Sequence, residues 1–320
     1  GVARREIDIE EYKHQLEARL GPERELMRGI MDTAQQTPKR IVLPEGELET
    51  VVRASHSIVE ERLGTPILLG DPDVIREVAE REEVDLTGVE LLDPRSFDRL
   101  DQYANRLFQR RKRKGITQDS ALRKMSDPLY FGAMMVDTGD ADTLIAGANL
   151  SYPNALRPAL HTIGMQPGVQ SVAGLFMLVF QNELYFFADT TVSIEPTPED
   201  MAETAILTAD FVRRLSINPR VAMISFSNFG SARHPESDKV KRAVEIVKDL
   251  RPDITIDGEM QADTAVVQDI LRERYPFSEL KRPANVLVFP NLTAANASYK
   301  LLSRIGGAVA IGPVLLGMAK

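Results

Sequence analysis

Two arginines and one short loop are the parts of this sequence best equipped for chemistry. The loop, residues 225–234 (SFSNFGSARH), follows the apolar run 221–224 and precedes a helical pattern. Ser225, Ser227 and Ser231 bring hydroxyls, Asn228 an amide, Gly230 a backbone that can turn its N–H inward, and Arg233 a charge. Beyond the carboxyl end of a strand, where the next helix presents unpaired N–H groups, that set suits a phosphate-bearing ligand. The same residues also make an ordinary capped strand-to-helix connection. The Gly-Lys-Ser/Thr ending of a Walker loop is missing.

Arg111 lies in the basic run RRKRKG (110–115), the strongest positive patch of the chain. Such a run is commonly a solvated face, but sparse acidic neighbours and the glycine that closes it equally suit local anion binding. Arg157 precedes Pro158 among apolar residues, where burial would require a carboxylate or phosphate partner. Asp189, Asp257 and Glu259 stand at the ends of expected strands and could ligate a hard cation. Capping and loop hydrogen bonds are the simpler reading, so no metal is expected. His14, His56, His161 and His234 are scattered without ligand spacing, and only His234, beside Arg233, is placed near a site. Neither a G-x-S-x-G elbow nor a G-x-G-x-x-G fingerprint occurs, which leaves a nicotinamide dehydrogenase with fold analogy alone.

Elements that could carry these residues read as α/β. Short apolar runs at 40–47, 65–71, 88–94, 141–148, 169–180, 184–190, 221–227, 253–261, 284–291 and 308–316 alternate with helical patterns. Alternation of this kind predicts parallel sheets covered on both faces. Helices are expected near 48–62, 127–139, 197–215, 236–250, 263–274 and 293–305, and the stretch 97–124 reads as helix plus basic loop. Residues 8–36 read as an amphipathic arm, with Leu16, Leu20, Leu26, Ile30 and Met31 on its apolar stripe. The expected organisation is a helical arm over 1–38, a first lobe of 39–155 plus about 306–320, and a second lobe of 156–305.

Bulk properties set the outer limits. The 320 residues, 43% hydrophobic and 27% charged, can bury a sizeable core. A net charge of −8 argues against non-specific nucleic-acid binding, so an anion site must be a local basic pocket. Without cysteine there is neither a disulfide framework nor thiolate catalysis, which fits a cytoplasmic location. No apolar stretch approaches the ~20 residues of a membrane span. Both ends read as cut rather than natural.

From RIVLPEGE onward the chain resembles the phosphate acetyltransferase family. DPLYFGAMMV, RPAL, ADTT, SFSNFGS, IDGEMQAD, ANVLVFPNLTAANASYKLL and AIGPVLLG fall in the family's order over about 39–320. The wording of GVARREI, YFFADTTV, SNFGSARHPES and YPFSELKRPANVLVFPN is similar to the C-terminal half of hybrid NADP-dependent malic enzymes. This resemblance implies a two-lobed α/β/α phosphotransacetylase fold, related to isocitrate and isopropylmalate dehydrogenases, with mostly parallel sheets, an interlobe cleft for CoA, and a homodimer or higher homo-oligomer. It makes Arg111 and Arg157 the counterparts of two family arginines, catalytic if the chain is active. The family's Ser-Arg-Gly element and its acid, the base toward the CoA thiol, belong to a segment beyond these residues.

The implied function is therefore a regulatory domain that binds acetyl-CoA or another acyl-CoA as ligand or effector. Arg111, Arg157, Ser225, Ser227, Asn228, Gly230, Ser231 and Arg233 would contact it. NADP, a divalent metal and malate decarboxylation would belong to a covalently linked N-terminal half. An active phosphate acetyltransferase and a purely structural dimerisation module are the alternatives, and no nucleic-acid or membrane partner is expected.

Overall fold

The computed structural model describes residues 22–180 and 183–320, with side chains from residue 27 onward. The expected arm falls largely outside them; its described part is helix α1 (Pro22–Gln36). The chain divides into two compact units, one of Gly29–Pro167 with Met318–Lys320, the other built on Gly168–Gly317. Among the described residues no helix is long and apolar enough to cross a membrane.

The first unit carries strands β1 (Lys39–Leu43), β2 (Gly64–Leu69), β3 (Glu90–Leu92) and β4 (Thr143–Leu144). They form one parallel sheet in the order β3-β2-β1-β4, with Lys39 facing Gly64 and Ile67 facing Glu90. Side chains alternate across a strand, so each face has its own core. Val42, Ile67 and Leu69 pack with Tyr103, Leu107, Phe131 and Met134 on one side. Leu43 and Leu68 pack with Val52, Ile75 and Val78 on the other. The second set covers the sheet with α2 (Glu49–Glu60) and α3 (Pro72–Arg81).

The opposite face carries α4 (Leu100–Arg111), α5 (Gln118–Met125), α6 (Pro128–Thr138) and α7 (Tyr152–Thr162). Helix α6 is buried from Leu129 through Asp137, as expected for a helix that is apolar nearly all round. Asp127 caps it by accepting N–H from Leu129 at 2.9 Å and Tyr130 at 3.3 Å. A Cβ at Gly132 would lie 3.2–3.3 Å from Leu144, Leu69 and Val42, so this glycine sets how closely α6 approaches the sheet.

The second unit holds β5 (Ala173–Val179), β6 (Leu184–Ala188), β7 (Arg220–Ile224), β8 (Thr255–Met260), β9 (Val286–Val288) and β10 (Val309–Leu316). Their order is β10-β5-β6-β9-β7-β8. Alternation again assigns two cores. Val221, Met223, Phe186 and Val288 face α8 (Pro198–Arg214) and α9 (Pro235–Leu250). Ala222, Ile224, Phe187 and Leu287 face α10 (Ala262–Val266), α11 (Gln268–Arg274) and α12 (Leu292–Arg304).

The sheets are mostly parallel, as expected, although β10–β5 and β5–β6 are antiparallel, and two placements need correction. Only four residues separate β5 from β6, whereas a parallel crossover needs a dozen or more. Residues 309–316 pair with β5 rather than joining the first unit. The boundary expected at 155/156 lies at 167/168, because the unanticipated helix α7 packs on α6 and α4.

Candidate functional site

In the first unit three helices and a turn bring cations together around one imidazole. Arg111 ends α4, and the tight turn Lys112–Lys114 follows, closed by Gly115 at φ +86°, a left-handed conformation that a glycine adopts without strain. Lys124 sits in the last turn of α5, Tyr130 in the first turn of α6, and Arg157 and His161 one turn apart on α7. Tyr130 Oη lies 2.8 Å from His161 Nδ1. Lys124 Nζ donates to Tyr130 Oη at 3.4 Å and stands 4.6 Å from the centre of its ring.

The electrostatics of this group are one-sided. Burial, and then the charges of Arg111, Lys124, Arg157 and Lys114, hold the His161 imidazole down at about 4. Among the described residues, none of those four cations lies within ion-pair distance of a carboxylate. Arg111 Nε is buried and has no hydrogen-bond partner there. The neighbouring arginines differ: Asp137 binds Arg106 Nε at 2.5 Å and Arg110 at 3.0 Å. Arg157 is exposed, so the need of an anionic partner that its burial would have created does not arise.

The pocket at the carboxyl ends of β1 and β2 has the opposite character. About 280 Å³ in volume, it is lined by Glu45, Gly46, Glu47, Leu48, Leu69, Gly70 and Leu150, among others. The Glu45 carboxylate accepts N–H from Gly147, Ala148 and Asn149 at 2.6, 2.9 and 2.8 Å. Strand ends are the common ligand position in parallel sheets, yet the unpaired positive charge of this unit lies among its helices.

In the second unit, the 225–234 loop joins β7 to α9. Two of its donors meet on an internal anion. Glu259, on β8 and 2% exposed, accepts from Ser227 Oγ at 3.0 Å and from Gly230 N–H at 2.6 Å. Ser225 Oγ accepts from Ser227 N–H, and Ser231 Oγ from Asn228 N–H. The Asn228 and Gln261 side chains bond to each other at 3.0 Å. Gly230, Ser231 and Arg233 are exposed; Ser225, Ser227 and Asn228 are buried. His234 is the cap of α9, accepting N–H from Glu236, and the acids Glu236 and Asp238 already face that helix's positive end.

The strand-end carboxylates are similarly engaged. Asp189 accepts four backbone N–H groups, those of Gly174, Thr191, Val192 and Ser193. Asp257 accepts from Ser278 Oγ and Glu279 N–H and lies 3.5 Å from Lys248. Among the described residues no three potential ligands cluster as a metal site would require.

Thus Arg111 and Arg157 share the first unit, while the six loop residues share the second. Sequence reasoning passed over Lys124, Tyr130 and His161. The available signal was the four-residue spacing of Arg157 and His161, hidden because Pro153 and Pro158 disguised α7 as a loop.

Known proteins match this description along nearly the whole chain. Residues 25–320 match the phosphate acetyl/butaryl transferase family. Similarity to the phosphate acetyltransferase of Clostridium acetobutylicum is 39% identity over 92% of this chain and 91% of that protein. The NADP-dependent malic enzyme of Escherichia coli is also 39% identical; the match spans 100% of this chain but only 43% of that protein. The phosphotransacetylase structure from Streptococcus pyogenes superposes with a TM-score of 0.87 at 36% identity, covering 93% and 91% of the two chains. With an α/β framework shared with a solved phosphotransacetylase and a family match over 25–320, the chain belongs to the phosphate acetyl/butaryl transferase family.

Proposed function

We propose that this chain binds an acyl-CoA, acetyl-CoA first among them, as a regulatory domain of an NADP-dependent malic enzyme, without turning the thioester over. The observation that carries the proposal is the set of cations around His161. Arg111, Lys114, Lys124 and Arg157 are free of carboxylates among the described residues, and Arg111 Nε is buried without an acceptor. A buried donor left unpaired costs about 1–3 kcal/mol, and a phosphoryl oxygen would recover it. Guanidinium groups suit such oxyanions because their planar forks match the geometry.

His161 weighs for binding over turnover. Acetyl transfer to or from CoA needs a base for a thiol whose own pKa is ~8.5. Held at about 4, the imidazole beside these cations is a poor proton acceptor for it. Full coverage of the chain by malic enzymes supports the regulatory setting, and NADP and a divalent metal would then serve the malate-oxidising half. The second reading, an active phosphate acetyltransferase, rests on equal identity to such an enzyme over 91% of its length.

Calorimetry and a thioester assay separate the readings. Acetyl-CoA should bind this chain, and Arg111→Ala or Arg157→Ala should weaken binding about ten- to a hundredfold, the loss of a charge-assisted hydrogen bond. Acetyl phosphate and CoA should yield no thioester above background. Turnover at an enzymatic pace would establish the acetyltransferase. Absence of any heat or thermal shift with CoA esters would leave a structural module.

A further inference from the structure

Tyr130 links Lys124 to His161 through its hydroxyl. An ammonium can only donate, so Lys124 Nζ donates to Tyr130 Oη. With Lys124 on one lone pair, the Tyr130 hydroxyl is free to donate to His161 Nδ1, 2.8 Å away; in that arrangement Nδ1 accepts and the single proton of the neutral imidazole sits on Nε2. Among the described residues Nε2 has no partner of its own. His161 therefore presents an N–H donor next to four unpaired cations, on the same helix face as Arg157 and one turn beyond it.

We propose that His161 is itself an oxyanion-binding residue, donating through Nε2–H, and that arrival of the anion draws a proton from solvent onto Nδ1. The step balances simply. One proton leaves the buffer, the Nδ1–H bond forms, and the Tyr130 hydroxyl reverses from donor to acceptor. The imidazolium then adds a fifth positive charge opposite the bound anion.

Electrostatics supply the driving force. Burial and four like charges oppose protonation. An anion seated among those charges cancels much of their push, and a negative charge within ~4–6 Å itself favours imidazolium. Carboxylates on the helices packed against α7 do not pre-empt this. Asp127 is engaged as the α6 cap, and Asp137 is held by Arg106 and Arg110, the latter also donating to Ile163 O. Among the described residues, the charged and titratable groups acting on the imidazole are thus Tyr130 on α6, Lys124 on α5, Arg111 at the end of α4, Lys114 in the turn after it, and Arg157 on α7 itself. The inference rests on the anion site proposed above and names an additional residue and a proton for it.

Sulfate is a suitable probe because it stays dianionic from pH 4 to 8, whereas phosphate titrates there. The full chain is titrated by NMR, following the His161 ring signals with and without saturating sulfate. Sulfate binding is also measured by calorimetry near pH 6 in two buffers of different ionisation heat. The ring pKa should rise by about one unit or more. Binding should take up a fraction of a proton, and His161→Gln should abolish that uptake while leaving the thermal midpoint near wild type. Tyr130→Phe, which deletes the hydroxyl but keeps the ring, should retain the uptake.

Saturation by sulfate without movement of the His161 pKa, or equal uptake in His161→Gln, overturns the proposal and leaves the anion site standing. If neither sulfate nor acetyl-CoA binds, the site and this inference fall together. A parallel titration with acetyl-CoA identifies the source of the oxyanion. The same pKa rise supports a phosphate of the nucleotide, and a rise with sulfate alone supports a free oxyanion.

Discussion

At the scale of single residues, the two arginines and the histidine have separable consequences. Arg157 is exposed, forms no ion pair among the described residues, and sits among like charges. Arg157→Ala should therefore leave unfolding free energy within about 0.5 kcal/mol of wild type, while weakening acetyl-CoA binding as argued above. Urea unfolding beside calorimetry checks both halves. His161 affects stability instead through pH. Folded, it is held at about 4; unfolded, it titrates near ~6.5. Between those values the unfolded chain takes the proton more readily, so this contribution is fully present above pH ~6.5 and is lost as pH falls toward 4. The wild type should lose stability over that window, and His161→Gln should lose less. Asp140 acts in a separate window. Burial raises its pKa, but bonds from Arg99, Tyr103 and Thr138 prevail and hold it at about 2. Its stabilisation is present above pH ~3.8 and disappears as pH falls through about 2. Urea midpoints from pH 7 down to 2 should thus show two successive declines, only the upper one sensitive to His161→Gln.

At the scale of elements, the loop between β7 and α9 is organised by Glu259. Removing that carboxylate takes one partner from the buried Ser227 Oγ and the acceptor of the Gly230 N–H, so Glu259→Ala should cost about 1–3 kcal/mol. Gly258→Ala should be harmful for a different reason: φ is +142°, and the added Cβ would lie 2.7 Å from the Met223 carbonyl oxygen. Chemical denaturation of both variants tests the pair, and wild-type midpoints would refute this account of the loop. The same elements show what the sequence could reveal. Strands with apolar residues on both faces, such as 221–224 and 286–288, were legible because continuous Val, Ile, Leu and Met runs mark doubly covered strands. Helix α7 was not, since Pro153 and Pro158 suppress the usual helical pattern, although Pro153 lies in the first turn, where it is tolerated. With α7 hidden, the spacing of Arg157 and His161 carried no meaning. Two of the loop's donors, Ser227 Oγ and the Gly230 N–H, meet on Glu259, some thirty residues away in sequence, through the pairing of β7 with β8, which composition does not encode.

At the scale of the molecule, each unit has its own sheet and its own two-sided core, and the cation group lies wholly within the first. A binding domain of this kind becomes regulatory only when its ligand discriminates between two states of the protein to which it is joined. The proposed setting is a polypeptide uniting this chain with a malate-oxidising half, and the coupling must then be reciprocal. Saturating acetyl-CoA should change the binding affinity for malate by some factor, typically about 5–150-fold for couplings of 1–3 kcal/mol, and saturating malate should change the affinity for acetyl-CoA by the same factor. Arg157→Ala raises the acetyl-CoA concentration needed without altering malate binding in its absence, because the residue lies outside the malate-oxidising half. Equilibrium titrations of each ligand at fixed concentrations of the other measure both factors. Unequal factors would mean that the two titrations report different processes. If acetyl-CoA binds tightly and malate affinity never moves, the regulatory proposal fails even though the anion site is real, and a site for turnover or a site without consequence takes its place.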